Sequence, residues 1–371
     1  MEKTSRNFET QNDSAVIVGA SLSGLMTGIA LAREGVSVII LEKVGEEGRT
    51  GSGLQVDGVT FGQSKIEKFL RQIVSGGRKS VQLWSSIESR LRAEAKKYSN
   101  IDLRYDTRIE VVDQDDDAAW ALTEKGEKVY GDLLIGADGH HSMVRRYVAP
   151  DKPDATFAGY MVWLASTDEN SLPEELRPSP HHPEVQFLNS FNGFLIGSII
   201  DSGTGYSNTG NRRIGCTWYD HSRNDLLRRL GCIEGDVVHH SLSADDLPKK
   251  TRNELTRQVA ANWPEPWASA MLHAIKTGNI TGTPIKEYIP ERLIRGRIAL
   301  VGDAAHVPAP ITASGFNASL KDAAELGKCV VKGINRQAGN RALEKYESVR
   351  LNKVRQMVAS GQWYSQSFGR L

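Results

Sequence analysis

The chain has 371 residues, a length that favours two domains at roughly 150 residues each. A hydrophobic content of 39% and a charged content of 25% are ordinary for a globular protein and argue against extensive disorder or a fibrous architecture. Lys and Arg number 46 against 45 Asp and Glu, and the net charge of +1 gives no reason to expect a nucleic-acid or membrane partner. A small-molecule ligand is the expected partner.

The cysteines and the amino-terminal segment indicate the cellular compartment in which the protein is expected. Cys216, Cys232 and Cys329 are far apart, so neither a disulfide framework nor a zinc site is predicted, and no metal is expected. The uncharged run 14–31 imitates a signal peptide, but mixed acidic and basic residues precede it and glycines interrupt it. We expect a cytoplasmic protein whose residues 1–12 form a disordered tail.

The chain begins with a strand–helix–strand pattern. Apolar runs at 15–18 and 36–41 flank a segment with Leu22, Leu25 and Ile29 at helical spacing. Parallel strands need such a crossover, so the pattern predicts a βαβ unit. A helix over 84–98 follows.

Alternating residues in 101–111 predict antiparallel strands, and Leu133–Ile135 predicts a buried strand that ends at Gly136-Ala137-Asp138-Gly139. From 155 to 277 the composition shifts to aromatic residues and alternating strands, which indicates a second domain. The α/β pattern returns in a strand at 297–301, a helix at 315–334 and a final amphipathic helix at 341–358.

These elements predict an α/β fold: a discontinuous Rossmann-like dinucleotide-binding domain, a second, β-sheet-based substrate domain, and a carboxyl-terminal helix. The expected boundaries are 13–154 plus 278–371 for the first domain and 155–277 for the second. The stretch 59–83 is left without a firm assignment.

A glycine-rich turn carries the first functional prediction. Gly19-Ala20-Ser21-Leu22-Ser23-Gly24 follows a strand and opens a helix, and an acidic residue, Glu42, ends the next strand about 20 residues on. Free amides at a helix start bind a pyrophosphate, and the acidic residue accepts bonds from a ribose diol. The predicted dinucleotide-binding residues here are Gly19, Ser21, Ser23, Gly24, Glu42 and Lys43.

Three separated motifs resemble the single-component FAD-dependent aromatic hydroxylases, with the p-hydroxybenzoate hydroxylase fold. They are the turn with Glu42, the segment 136–139 leading to Ser142 and Arg145, and Gly302-Asp303-Ala304-Ala305-His306 with Pro308. Further likeness to the branch that hydroxylates 2,6-dihydroxypyridine at position 3 lies in Ala158-Gly159-Tyr160 with Trp163, in Val238-His239 with Ser241-Leu242, and in the tail 342–357.

The resemblance implies FAD as cofactor, NADH or NADPH as a transient reductant, and hydroxylation of an electron-rich hydroxylated aromatic or N-heteroaromatic molecule by O₂ through a flavin C4a-hydroperoxide. It also implies further cofactor-binding residues: Arg49, Gly53, Asp138, Asp303, Gly315, Phe316 and Asn317. No second glycine fingerprint is present for a separate nicotinamide domain, so the reductant is expected to visit a surface groove.

Several of these residues keep a second interpretation. Arg49 could be a solvated loop residue, Asp303 a helix or turn cap, and Asp138 a cap as well as a ligand of FAD or of the nicotinamide cofactor. His306, grouped with Pro308 as catalytic, is either a general base or a structural, flavin-shaping residue.

The expected substrate-lining residues are Gln186, Asn189, Phe191, Trp218 and Tyr219, although the last two could instead pack in a core. Trp163-Leu164-Ala165 stands where the family often has Trp-Arg-Gly, and the missing arginine disfavours a carboxylated benzoate substrate. A halogenase is set aside because Trp218-Tyr219-Asp220 does not fit its motif. A flavin dehydrogenase or reductase and a non-catalytic flavin-binding sensor remain alternatives, and the oligomeric state stays open between monomer and homodimer.

Overall fold

The computed structural model describes residues 13–47, 53–77, 79–179, 182–190, 193–201, 212–335 and 337–369. The predicted tail 1–12, Arg49 and Phe191 lie outside these residues. The strands are β1 (Ser14–Val18), β2 (Ser37–Leu41), β3 (Gly53–Val56), β4 (Ser80–Leu83), β5 (Ile101–Arg104), β6 (Ile109–Gln114), β7 (Ala119–Thr123), β8 (Lys128–Gly131), β9 (Leu133–Gly136), β10 (Thr156–Asp168), β11 (Val185–Ser190), β12 (Gly193–Asp201), β13 (Arg212–Asp220), β14 (Ile233–Glu234), β15 (Val237–Val238), β16 (Ile280–Glu287), β17 (Ile294–Arg295) and β18 (Ile298–Leu300).

The helices are α1 (Leu22–Arg33), α2 (Lys65–Ser75), α3 (Trp84–Ala95), α4 (Met143–Val148), α5 (Asn224–Arg229), α6 (Lys249–Asn262), α7 (Trp267–Thr277), α8 (Gly315–Cys329) and α9 (Gln337–Phe368). Within the described parts of the chain, none of these helices has the length and apolar character that a bilayer crossing needs.

The first layer is a mainly parallel sheet in the order β17-β18-β9-β1-β2-β5, in which only the β17–β18 pair is antiparallel. Its central strands are buried on both faces, as strands covered by helices on both sides must be. The register aligns Val18 with Leu41 and with Gly136, and Gly136 with Leu300. The carboxyl ends of four strands therefore meet at one edge, and the predicted α/β fold is confirmed.

Strand β5 differs from the sequence prediction. It was expected to pair antiparallel, but it pairs parallel with β2, with Ile101 opposite Val38. As the edge strand it keeps one solvated side, where Asp102 is exposed, and this produces the alternation that suggested an antiparallel strand. Strand β6 does pair antiparallel, with β7.

The second layer is an antiparallel sheet in the order β11-β12-β13-β10-β15-β14, and β16 also pairs with β10. Strand β16 lies beyond residue 277, so this sheet extends past the boundary expected for the second domain. Helices α6 and α7 bury an apolar core against one face of the sheet. The other face packs against the end of α9.

Helix ends also differ from the sequence expectations. Helix α8 ends at Cys329 rather than near residue 334, and α9 runs ten residues beyond the expected end at 358. The extra turns of α9 are rich in polar residues, but they dock on the second sheet through Tyr364 and Phe368, which stand four residues apart on one helical face. Tertiary packing therefore decides the length of this helix.

Candidate flavin site

The residues that sequence motifs singled out meet at one edge of the parallel sheet. Gly19, Glu42, Asp138 and Gly302 each follow the carboxyl end of a strand within two residues. In open parallel sheets, ligands bind outside the carboxyl ends of the strands. The chain therefore builds its candidate site where this rule expects it.

The turn between β1 and α1 leaves no room for larger side chains. Gly19 has φ +103°, and a Cβ there would lie 2.5 Å from the carbonyl oxygen of Ala137. A Cβ on Gly24 would lie 1.9 Å from the carbonyl oxygen of Gly19. Both positions need glycine because backbone approaches backbone, as the sequence analysis anticipated for a phosphate-binding turn.

The start of α1 presents unused donors. Ser21 occupies the N-cap position without a side-chain cap bond, and the first turn of α1 holds no acidic residue. Among the described residues, no protein acceptor pairs with the N–H groups of Leu22, Ser23 and Gly24. Such a helix start, with its partial positive charge, fits a diphosphate.

Glu42 is buried directly beside this turn. Its Oε2 accepts the N–H of Ala20 at 2.8 Å, and its Oε1 accepts the N–H of Val44 at 3.1 Å. The carboxylate thus fixes the turn at the carboxyl ends of β1 and β2. Lys43, the next residue, is exposed.

Asp303 lies on the opposite wall of the site. Gly302, with φ +61°, packs so closely on Ser23 that a Cβ there would lie 2.6 Å from the Cβ of Ser23. The Asp303 side chain is exposed within this recess and has no hydrogen-bond partner among the described residues. Desolvation by the surrounding protein raises its pKa, while the charges of His306 and Arg145 oppose the rise. Because the Asp303 carboxyl is accessible and has no protein partner, it can accept a hydrogen bond from a ligand hydroxyl.

Asp138 caps a helix. Its Oδ1 accepts the hydroxyl of Ser142 at 2.5 Å, and its Oδ2 accepts the N–H groups of Met143 and Val144 at 2.7 and 3.2 Å. Burial raises the pKa of Asp138, and these hydrogen bonds oppose the rise. The geometry supports the capping half of the dual role expected for this residue.

Arg145 joins two of the motifs. Its side chain is fully buried and donates to the backbone carbonyls of Asp303 and Ala304, at 3.2 and 3.3 Å, and of His140, at 2.6 Å. Its guanidinium also lies 4.4 Å from the ring centre of Tyr288. The motif residue Arg145 therefore holds the Asp303 turn in place through the backbone carbonyls of Asp303 and Ala304.

His306 is held in the core. Its Nε2 lies 2.7 Å from Oδ2 of Asp322, which also accepts the N–H of Gly302 at 3.0 Å. Arg350 Nε donates to Oδ1 of Asp322 at 2.7 Å. Burial alone would raise the pKa of Asp322, but the positive charges of His306 and Arg350 lower it.

Sequence reasoning missed Asp322 and Arg350. The sequence did carry a signal for Asp322, because this acidic residue stands on the face of α8 that helical spacing predicts to be apolar. His306 is 0% exposed, so in this structure it faces Asp322 rather than an open cavity.

The start of α8 is a third part of the candidate site, after the α1 turn and the Asp303 turn. Ser314 precedes it without a side-chain cap bond, no acidic residue stands in its first turn, and the N–H groups of Gly315, Phe316 and Asn317 have no acceptor in the described residues. Pro308 is buried and would lie 3.4 Å from a Cβ on Gly315. These donors can stabilise negative charge on a ring edge placed before them.

Arg71, which sequence reasoning missed, fixes this helix start. It is 2% exposed and donates to the side-chain oxygen of Asn317 at 3.0 Å. Gly53, at the start of β3, lies against Val81 and Ile200, so the two-stranded β3–β4 sheet touches the second sheet.

A cavity of about 280 Å³ opens beside the segment 307–310. Lys286 Nζ donates to Nε2 of His141 at 2.9 Å, and His140 and His240 also line the cavity. Burial, with the charge of Arg145, lowers the pKa of Lys286 to about 8. Burial, with the charge of Lys286, lowers the pKa of His141 to about 4. Burial lowers the pKa of His140 to about 3, so near neutral pH the cavity offers the ammonium of Lys286 beside the neutral imidazoles of His140 and His141.

The structure divides the predicted substrate-lining residues between two faces of the second sheet. Gln186 accepts a hydrogen bond from the indole N–H of Trp267 at 2.9 Å, and Trp218 packs edge-on to Trp263. Gln186 and Trp218 therefore lie on the face of the sheet that α6 and α7 cover. Tyr219 points to the opposite face, where Asn189 also lies in register with Phe194. Because neighbouring residues of a strand face opposite ways, Trp218 and Tyr219 cannot line one pocket.

The free helix-start amides, the tight glycine turn and the carboxylates at the strand ends fit a flavin dinucleotide, so fold and site define a dinucleotide-binding flavoprotein. Residues 13–62 and 232–360 match the FAD binding domain family. This match, together with the relatives described next, confirms the resemblance to FAD-dependent aromatic hydroxylases seen in the sequence.

Two curated relatives align over most of the chain. The 3-hydroxybenzoate 6-hydroxylase of Klebsiella oxytoca is 25% identical over 96% of this chain and 88% of the relative. An FAD-dependent urate hydroxylase of Klebsiella pneumoniae subsp. pneumoniae is also 25% identical, over 93% of this chain and 87% of the relative.

Among solved structures, 2,6-dihydroxypyridine-3-hydroxylase from Arthrobacter nicotinovorans superposes with a TM-score of 0.72. It is 18% identical and covers 97% of this chain and 94% of its own. This likeness supports the fold.

Proposed function

We propose that the protein hydroxylates an electron-rich, hydroxylated aromatic or N-heteroaromatic small molecule, using O₂ and either NADH or NADPH. FAD, when bound, would supply the redox chemistry, namely hydride acceptance from the reduced nicotinamide and activation of O₂. The observation that carries the proposal is the position of α8. Its free amides directly follow the loop 310–312, whose Ile311 packs against the aromatic side of the second sheet.

The residues assigned to FAD act at four places: the first turn of α1, Glu42, Asp303 and the first turn of α8. The first turn of α1, with Gly19, Ser21, Ser23 and Gly24, binds the diphosphate through backbone N–H groups. Glu42 binds the ribose hydroxyls, and Asp303 accepts a hydroxyl near the diphosphate.

The N–H groups of Gly315, Phe316 and Asn317 stabilise negative charge on the flavin ring. Arg71 supports this part of the site, because it is buried and holds the side chain of Asn317 in place. Arg49 and Gly53 are assigned to the flavin on the resemblance alone.

We assign His306 a structural role. Its burial and its contact with Asp322 support this, because Asp322 also holds the Gly302 N–H and thereby the Asp303 turn. Pro308 packs on the first residue of α8 and shapes the same loop. The His306 side chain is fully buried and so has no open approach for a substrate in this arrangement.

The cavity that holds Lys286 and His141 is the proposed docking place for an anionic part of the reductant. One ammonium flanked by neutral imidazole groups suits a phosphate. The cavity shares the loop 307–310 with the flavin site, so a docked nucleotide is near the flavin. We place the reaction in the cytoplasm, where reduced nicotinamide cofactors are supplied.

Oxygen isotope labelling tests the proposed function. The FAD-loaded protein is mixed with NADH or NADPH and a panel of phenols and hydroxypyridines under ¹⁸O₂. The masses of the products are then measured by mass spectrometry. A ring product that gains one labelled oxygen atom supports hydroxylation. Oxygen-independent turnover would identify a dehydrogenase or reductase, and a bound flavin without substrate-stimulated NAD(P)H oxidation would identify a sensor.

A further inference from the structure

An aromatic cluster covers the side of the second sheet that faces away from α6 and α7. We call it the aromatic face; it consists of Tyr160, Val162, Phe194, Tyr219, Ile285, Tyr364 and Phe368, with Leu164, Ile196 and Ile311 at its margin. Every side chain in this set is uncharged. The residues come from three parts of the chain, namely the sheet, the loop before α8 and the end of α9.

The rings have a defined order. Phe194 stacks on Tyr219 with centroids 4.3 Å apart and planes 13° apart. Tyr364 stacks on Phe368 at 5.8 Å and meets Phe194 edge-on at 6.2 Å. Tyr219 and Phe368 are almost fully buried, whereas Phe194 and Tyr364 are only partly buried. The accessible side of the aromatic face is therefore bounded by Phe194 and Tyr364.

This accessible side adjoins the candidate flavin site. Ile311, also partly buried, packs against the aromatic face from the loop that leads into α8. A Cβ on Gly361 of α9 would lie 3.1 Å from the Thr312 methyl group, so α9 passes directly over that loop. A ring lying against Phe194 and Tyr364 is therefore close to the free amides at the start of α8.

The last turns of α9 are fixed in rotation about their axis. Ser365 donates to Oε1 of buried Glu287 at 2.5 Å, and its hydroxyl lies 3.4 Å from the Tyr160 hydroxyl. This anchor turns Tyr364 toward the aromatic face and leaves the preceding residue, Trp363, 75% exposed. The chain thus provides two adjacent aromatic residues with opposite environments.

The Tyr364 hydroxyl is a free donor in an apolar surrounding. It has no hydrogen-bond partner among the described residues, and burial raises its pKa to about 12. The hydroxyl therefore remains protonated near neutral pH. A neutral ring that carries a hydroxyl or oxo oxygen could accept this hydrogen bond without bringing an unpaired charge into the apolar surface.

We infer that Tyr364 contacts the substrate and determines its class: a planar, uncharged aromatic or heteroaromatic ring that packs against Phe194 and Tyr364 and accepts a hydrogen bond from the Tyr364 hydroxyl through a ring hydroxyl or oxo oxygen. The inference rests on the proposed function. It adds a specificity-determining residue in the final turns of α9, which the sequence analysis did not place in the site.

Ligand titration of the FAD-loaded protein tests the inference. Phenol, 2-hydroxypyridine, 4-hydroxyquinoline and the carboxylate-bearing 3-hydroxybenzoate are titrated while the visible flavin spectrum is recorded. Tyr364→Ala removes ring and hydroxyl, Tyr364→Phe removes the hydroxyl alone, and Trp363→Ala is the matched control on the same turn. Flavin content of each variant, measured from absorbance, shows whether the cofactor site is intact.

We expect Tyr364→Ala to raise the Kd of the neutral rings about tenfold or more, and Tyr364→Phe to raise it about threefold to tenfold, which corresponds to the loss of one neutral hydrogen bond. Trp363→Ala should leave each Kd unchanged, and 3-hydroxybenzoate should bind more weakly than the neutral rings. Unchanged Kd values in Tyr364→Ala, or preferred binding of 3-hydroxybenzoate, would overturn the inference alone. If the wild type binds none of the rings and shows no stimulated NAD(P)H oxidation, the proposed function fails and the inference fails with it.

Discussion

Replacing Gly24 by alanine is the sharpest perturbation of the proposed diphosphate site. The new Cβ would lie 1.9 Å from the carbonyl oxygen of Gly19 and 3.3 Å from the Cβ of Ala137. Because the nearest atom belongs to the backbone, the turn itself must move. The N–H groups of the first turn of α1 then lose their alignment with the diphosphate.

The size of the effect follows from the hydrogen bonds at stake. A hydrogen bond to a charged group contributes about 1.5–3 kcal/mol, and about 1.4 kcal/mol corresponds to a tenfold change in affinity. Loss of one such bond therefore raises the Kd for FAD about 10- to 100-fold. The assay is titration of apoprotein with FAD, followed by the quenching of flavin fluorescence.

The matched control is Gly58→Ala, because a Cβ on Gly58 meets only the Cβ of Lys79, at 3.9 Å. This variant should bind FAD as the wild type does. Circular dichroism and thermal melting of both apoproteins establish that they are folded. A folded Gly24→Ala protein with an unchanged Kd for FAD would refute the assignment of the diphosphate to this turn.

Three further variants probe other parts of the site. Glu42→Ala should raise the Kd for FAD in the same titration, because it removes a ribose acceptor and also leaves the N–H of Ala20 without its partner, while the fold persists. Lys286→Met should raise the KM for NADH or NADPH about tenfold in steady-state assays, and the wild-type KM should rise as the pH passes about 8, where Lys286 loses its charge. Asp322→Asn should lower the free energy of unfolding by about 3–5 kcal/mol in urea titrations, because the charge of Arg350 stays buried without its counter-charge.

Two of these variants, Lys286→Met and Asp322→Asn, have matched controls on the same chain. Lys276→Met changes an exposed lysine of α7 and should leave the nicotinamide KM as it is. Glu325→Gln removes the charged partner of Lys328 on α8 and should lower the free energy of unfolding by less than about 1 kcal/mol. Equal KM values for Lys286→Met and wild type would exclude Lys286 from the reductant site. Equal stabilities for Asp322→Asn and Glu325→Gln would contradict the role of Asp322 as the buried link between the Gly302 turn and α9.

Local patterns predicted the nucleotide-binding half of the molecule well. The apolar run ending at Gly19, the helical spacing after it and the position of Glu42 depend on short stretches of chain, so the sequence displays them directly. Asp303 could be placed from its motif in the same way. The parallel pairing of β5 could not, because pairing direction depends on a partner distant in the chain.

The substrate side of the site depends on contacts between distant segments, and the sequence predicted less of it. Trp218 and Tyr219 were taken together, although strand alternation sends them to opposite faces. Tyr364 was not noticed because it stands among polar residues at the end of α9, and its contact with the sheet depends on segments that are distant in the chain. Asp322 and Arg350 are polar residues whose burial follows only from the packing of α8 against α9.

A crystal structure of the protein with FAD and a neutral hydroxylated ring tests the central claim most directly. The account predicts diphosphate oxygens within about 3 Å of the N–H groups at the start of α1, the flavin ring against the start of α8, and the substrate ring between that flavin and Tyr364. A flavin seated away from the carboxyl ends of β1, β9 and β18, or a ring bound on the side of α6 and α7, would contradict it.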